Sequence, residues 1–240
     1  MKHLSIDIET YSGTDITLGI AKYTEDPAFE VLLFAYAYDF GEVHVVDLAQ
    51  GETIPAAVIA DLADPTVVKH AYNAAFEIQC LLRAGYLVDP DQWACSMVHG
   101  LYLGLPAGLA KIGAALKLDQ NKKKLASGSA LIRYFCVPCK PTKRNGGRTR
   151  NLPKHDLEKW ALFKTYNAQD VVTEMAVYDR LRAFPVPEEL HYEWYLDFAI
   201  NLRGVLIDKE LVTGALAIDA AERESLLHEA ASLTGLVNPN

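Results

Sequence analysis

The chain of 240 residues has only four cysteines, Cys80, Cys95, Cys136 and Cys139. Their number and irregular spacing exclude a disulfide framework. Cys136 and Cys139 form one CxxC (CVPC), but no second CxxC or spaced histidine pair completes a zinc site. The pair opens into a Pro/Gly/Lys loop rather than a helix, so it reads as two reduced thiols and not as a redox motif. No apolar run approaches the roughly 18–20 residues that a bilayer span requires, so no membrane partner is expected. The N-terminus, MKHLSIDIET, lacks the basic stretch and apolar block of a signal peptide. A cytoplasmic location follows as the expectation.

Positive charge is also scarce. Against 31 Asp and Glu stand 23 Lys and Arg, for a formal net charge of −8. That excludes a surface coated uniformly for nucleic acid. From Gln120 to His155, however, there is no Asp or Glu. The same stretch carries Lys122, Lys123, Lys124, Arg133, Lys140, Lys143, Arg144, Arg148, Arg150 and Lys154. A basic segment on an acidic body fits one localised polyanion contact, and equally a solvated charged loop.

Residues 3–9 alternate and are β-branched, the pattern of a strand. VLLFAYAY (31–38) and VHVVDL (43–48) continue as two more strands. Residues 54–62 predict a helix opened near Pro55, 67–72 a fourth strand, and 75–84 a helix ended by Gly85. A short fifth strand is expected near Trp93. Helical patterns follow at 96–103, 109–116 and 122–134, then a loop over 138–153 and a long helix over about 156–182. PVPEE (185–189) punctuates the chain ahead of two more helices, about 188–202 and 209–234. The order predicts a mixed α/β sheet layered with helices, and a helical appendage. The final GLVNPN has no stop signal of its own, so the chain reads as cut from something longer.

Four acids stand out. Asp7 and Glu9 are two apart on a strand and share one face, with Ile6 and Ile8 on the other. Two adjacent carboxylates repel unless a cation lies between them. Tyr166 and Asp170 have the i,i+4 spacing of one helix face. Asn73, Phe76 and Glu77 fall where a strand turns into a helix, where Asn73 could cap, Phe76 fill the core and Glu77 favour the first-turn dipole. Each segment has an ordinary structural explanation. Three in this order fit a site gathering two divalent cations for phosphoryl displacement.

The runs DIET (Asp7, Glu9, Thr10), NAAFE (Asn73, Phe76, Glu77) and YNAQD (Tyr166, Asp170) resemble the four-acid 3′→5′ exonuclease superfamily. Position 165, five before Asp170, is Thr, and the nearest histidine, His155, lies far upstream, so the tyrosine branch matches rather than the histidine branch. DIETYSGTDI, EDPAFEVLLFAYAYD, GLYLGLPAGLAKIGAALKL, ALIRYF and KPTKRNGGRTRNLP further resemble the N-terminal part of phage-type family A DNA polymerases. The resemblance covers nearly the whole chain. It implies a ribonuclease H-like exonuclease domain over 1–184, and the helical start of a polymerase region over 185–240, entered at NLRGVLIDKELV. The polymerase catalytic motifs are absent from the chain. One departure is that the second-motif acid, often Asp, is Glu77 here.

The resemblance further implies two cations, Mg²⁺ or Mn²⁺. Asp7 would bridge both, Glu9 and Asp170 would complete the first, and Glu77 would hold the second directly or through water. Tyr166 would orient the nucleophile. Thr10 and Asn73 would bond the terminal nucleotide, with Phe76 packing near its base or sugar. The partners would be single-stranded DNA or a frayed primer 3′ end, gripped by Lys140, Lys143, Arg144, Arg148 and Arg150 of a flexible loop, and the remainder of the polymerase. The setting would be a bacterial cell or phage-infected host. Two other readings compete: a free-standing ribonuclease D-like exonuclease, and an exonuclease-like scaffold that only binds DNA or a protein.

Overall fold

A computed structural model describes residues 2–122 and 128–235. Lys123 and Lys124 of the basic segment, part of the helix expected at 122–134, and the chain beyond Gly235 lie outside them. The strands are β1 (Lys2–Tyr11), β2 (Glu30–Tyr38), β3 (Val43–Asp47), β4 (Val67–Ala71) and β5 (Trp93–Cys95). The helices are α1 (Ile20–Glu25), α2 (Ala56–Ala63), α3 (Ala74–Arg83), α4 (Ser96–Tyr102), α5 (Leu109–Ala115), α6 (Gly128–Phe135), α7 (Leu157–Leu181), α8 (Glu188–Arg203) and α9 (Lys209–Thr234).

The five strands form one sheet of order β3-β2-β1-β4-β5. β1 pairs antiparallel with β2 and parallel with β4, while β2–β3 is antiparallel and β4–β5 parallel. The alternation of β1 decides its two faces. Leu4, Ile6 and Ile8 enter a core with Val58, Leu62, Ile78 and Leu81 of α2 and α3. Ser5, Asp7, Glu9 and Tyr11 therefore point to the opposite face, where α7 lies across β1, β2 and β3.

Helix α7 is held there at two levels. Trp160, Phe163 and Tyr166 pack with Leu33, Leu131 and Phe135, and the Trp160 indole N–H donates to Asp47 Oδ2 at 2.7 Å. Further along, Val171 and Met175 lie on Ala35 and Ala37 of β2, whose small side chains let the helix approach the sheet. Asp7 pairs with Ala35, and a register shift falls between Glu9 and Thr10, where the partner steps from Leu33 to Val31. Such a bulge re-aims the residues beside it.

Two compact units divide the chain, Met1–Leu202 and Arg203–Asn240. Most of α8 belongs to the first, and its Trp194 and Phe198 pack on the α2/α3 side of the sheet. The second unit contains α9, opened by Asp208, whose carboxylate accepts from the Glu210 and Leu211 amides, and closed by left-handed Gly235.

Most expected elements appear within a residue or two. Two findings differ. Lys122 ends a 3₁₀ turn, Gln120–Lys122, and the helix described after it begins at Gly128. The chain between β1 and β2, to which the pattern assigned nothing, forms α1.

Candidate active site

The odd-numbered face of β1 and the inner face of α7 meet at the acids. One carboxylate oxygen from each of Asp7, Glu9 and Asp170 lies within 4.8 Å of the others. Glu9 and Asp170 are buried, and Asp7 is half-buried. Three hard oxygen donors at that spacing suit a hard divalent cation. Glu77, the fourth residue of α3, stands outside this trio but is also buried. Burial, then the like charge of Asp7, and those of Glu174 and Asp170 hold its carboxyl well above the usual range. Its Oε2 is buried without a hydrogen-bond partner among the described residues. An orphaned buried oxygen beside three more carboxylates fits a site completed by cations.

Tyr166 lies one turn before Asp170, its ring stacked 6.1 Å from that of Phe163 at an interplanar angle of 6°. A Cβ built on Gly128 would come within 2.0 Å of the Tyr166 ring, so α6 packs directly on it and only glycine fits. Burial and the nearby charges of Asp170, Glu9 and Asp7 push the phenol above its ordinary range. It is therefore neutral at working pH, able to orient a nucleophile but unsuited to take its proton.

Two α7 residues escaped the sequence analysis. Asn167, fully buried, donates through Nδ2 to Asp7 Oδ2 at 2.6 Å and to the Asp7 carbonyl at 3.2 Å. Glu174 is buried one turn beyond Asp170 and accepts a hydrogen bond from Ser96 of α4. Their signal was present: position 167 lies three before Asp170 and position 174 four after it, on the same helix face.

Beside Glu9 a cavity of about 600 Å³ is lined by Thr10, Ile16, Tyr23, Phe76, Ile132 and Val137. Its apolar walls would suit a base or sugar. Thr10 is buried, with its Oγ1 2.7 Å from the Tyr23 hydroxyl. Phe76 is half-buried and tilts against Tyr23. Asn73 is exposed, in left-handed backbone (φ 72°) at the head of α3, with no capping bond from its side chain. The structure thus brings Thr10 and Phe76 to the cavity and leaves Asn73 off its wall. Cys136 also lines it, its Sγ 3.9 Å from Glu9 Oε2, and all four cysteines are free.

The basic segment divides in two. Lys140, Lys143 and Arg144 are exposed. Arg148 and Arg150 serve the fold. Arg148 bonds Asn151 Oδ1 and the Asn145 carbonyl, while Arg150 pairs with Glu30 and lies over the Tyr11 ring at 3.8 Å. The loop is closed by Cys139 N–H to the Thr149 carbonyl and by Asn145, which accepts from the Thr142 and Gly147 amides.

Strand order, pairing directions and the helices on both faces define a ribonuclease H-like fold of the kind found in nucleases. Brucella melitensis NrnC, solved also with bound Mg²⁺, superposes with a TM-score of 0.50 at 16% identity, covering 83% of this chain and 81% of that one. Trypanosoma brucei RNase D, solved with GMP, gives 0.50 at 16% identity, covering 82% and 56%. In sequence the chain is a relative of the DNA polymerase of Bacillus phage SP02, 51% identical over 242 residues. The match takes in all of this chain but only 37% of that protein, so the chain spans little more than a third of its relative. No family model matches. The resemblance to a phage DNA polymerase is borne out. No described helix is long and apolar enough to cross a membrane.

Proposed function

We propose that the chain is a 3′→5′ exonuclease module, the proofreading part of a longer family A DNA polymerase in a bacterial or phage-infected cytoplasm. The observation that carries this reading is the convergence of Asp7, Glu9 and Asp170 within 4.8 Å, on a chain half identical to part of a phage DNA polymerase. The whole-chain likeness to a polymerase weighs against a free-standing ribonuclease. Residues 1–184 would form the exonuclease and 185–240 the entry to the polymerase region.

Asp7, Glu9 and Asp170 would hold divalent cations, Mg²⁺ or Mn²⁺, with Glu77 contributing from α3. Bound cations would supply an acidified water and neutralise charge on the departing 3′ oxygen. Tyr166 orients the attacking oxygen through its neutral hydroxyl. The apolar cavity takes the terminal base or sugar against Phe76, with Thr10 on its wall available to its polar groups. A single-stranded or frayed 3′ end fits best, because splayed bases reach such a wall at lower unpairing cost.

The test is direct. The purified chain with Mn²⁺ or Mg²⁺ shortens a 5′-labelled single-stranded DNA stepwise from its 3′ end and releases 5′-mononucleotides. Chelation stops it, and no primer is extended. Metal-dependent cuts starting from the 5′ end, or none at all, would overturn the reading.

The exposed bases of the loop give a second expectation. Neutralising Lys140, Lys143 and Arg144 weakens DNA binding at every sequence alike. It also flattens the dependence of log affinity on log salt, by about one for each phosphate no longer neutralised. Neutralising Arg148 or Arg150 instead costs stability, since each is bonded within the fold. The rate at saturating DNA changes little in the triple variant. An unchanged salt slope in fluorescence-anisotropy titrations would leave the solvated-loop reading standing.

A further inference from the structure

Asn167 is fully buried in the middle of α7, a place that suits its side chain poorly. Asparagine is a weak helix former, and its amide must find partners once removed from water. Both bonds from Nδ2 go to one residue, Asp7: one to the carboxylate at 2.6 Å, the other to the main-chain carbonyl at 3.2 Å. The amide can face a carboxylate only this way round, since an oxygen in its place would meet two acceptors. The amide thus clamps β1 to α7 at Asp7, whose carboxylate belongs to the acidic trio. One Asp7 oxygen is fixed by the clamp, and the orientation of the other is set with it.

The other end of the amide is left over. Asn167 Oδ1 is buried with no hydrogen-bond partner among the described residues. For stability alone an apolar side chain of this shape would serve α7 at least as well, because an orphaned buried acceptor is costly. The arrangement makes sense if the gain lies in the aim of Asp7. Residues that hydrogen-bond metal-ligating carboxylates fix their orientation.

We propose that Asn167 is a positioning residue of the cation site, orienting Asp7 towards the metal. This rests on the reading of Asp7, Glu9 and Asp170 as cation ligands. Asn167→Ala removes the clamp. Asn167→Ser keeps a hydroxyl too short to reach Asp7 and leaves a smaller void, so it decides the matter if the alanine variant does not fold. Thr173→Val, on the same helix with its hydroxyl bonded to the Gln169 carbonyl, is the control for a change that only affects the helix.

Mn²⁺ binding to the metal-free chain is followed by the paramagnetic resonance of free Mn²⁺, with melting curves alongside. Loss of the clamp weakens Mn²⁺ binding by about 10–100-fold, the range for partners of metal ligands. Thr173→Val leaves it within about threefold, whatever its melting temperature. Equal Mn²⁺ affinity in the wild type and in folded Asn167 variants overturns this inference alone, even if their melting points fall. A wild-type chain that binds no Mn²⁺ overturns the reading of the site, and this inference with it.

Discussion

Replacing Asp7 and Glu9 together by alanine abolishes shortening of DNA 3′ ends and leaves the protein folded. Both carboxylates lie in the trio that spans at most 4.8 Å, so their loss leaves Asp170 and Glu77 too few to gather cations. Metal stabilisation of displaced charge is worth several kcal/mol, which at about 1.4 kcal/mol per decade means a rate at least roughly 10³-fold lower. The fold has reason to survive. The variant removes two of the acids that crowd the site, and Ile6 and Ile8 still anchor β1 from its other face. Against this stands the Asn167 amide, which loses its carboxylate partner but keeps the Asp7 carbonyl. A second readout separates lost chemistry from lost structure. Mn²⁺ at about 100 times its dissociation constant stabilises the wild type by about 2.7 kcal/mol, and it does nothing for the variant. Differential scanning fluorimetry with and without Mn²⁺, beside a gel assay, checks both. Metal-dependent cleavage by the folded double variant would refute the mechanism.

The sheet was legible because its signals are local. Period-two alternation on β1, the apolar block of β2 and the caps of α2 and α3 each sit within a few residues. The trio was legible too, since two acids on one strand face and a Tyr–Asp pair on one helix face needed only the fold to meet. What escaped depends on residues far apart in the sequence meeting in the fold. Nothing near Thr10 announces that Tyr23, on a short helix without strong caps, bonds its hydroxyl. The duties of Arg148 and Arg150 were hidden because charge content alone does not tell a cation free for phosphate from one stacked on Tyr11. Asn167 and Glu174 had the right helical spacing, but an Asn or Glu on a 25-residue helix reads as a solvated face until the sheet beneath it is seen. The CxxC read as two reduced thiols, and its cysteines are free. That Cys136 sits against Glu9 depends on α6 packing over the end of β1.

A large effect of pH on stability belongs to Glu174. Burial pushes its carboxyl from 4.5 up to about 7, even though the hydroxyls of Ser96 and Ser5 draw it back. The unfolded chain gives up this proton near 4.5, and the metal-free folded chain near 7. Between those values the folded state binds more protons, so its stability falls as pH rises. Below about 4.5 the group contributes no difference, and above about 7 the penalty is complete. A rise from 4.5 to about 7 amounts to about 3 kcal/mol at about 1.36 kcal/mol per tenfold change in proton affinity. Glu174→Gln removes the ionisation and keeps an oxygen to accept from Ser96. Glu77 titrates in both proteins, but the Glu174 charge is one of those that raise its carboxyl, so the substitution also eases the Glu77 penalty and adds to the difference in the same direction. In EDTA at pH 8 the variant is therefore more stable than the wild type, by about 3 kcal/mol. The advantage shrinks through pH 6 and is gone near pH 4.5. Urea unfolding at pH 5, 6, 7 and 8 measures it. A difference that stays flat across this range, or grows towards acid, would show that Glu174 is charged in the folded protein throughout.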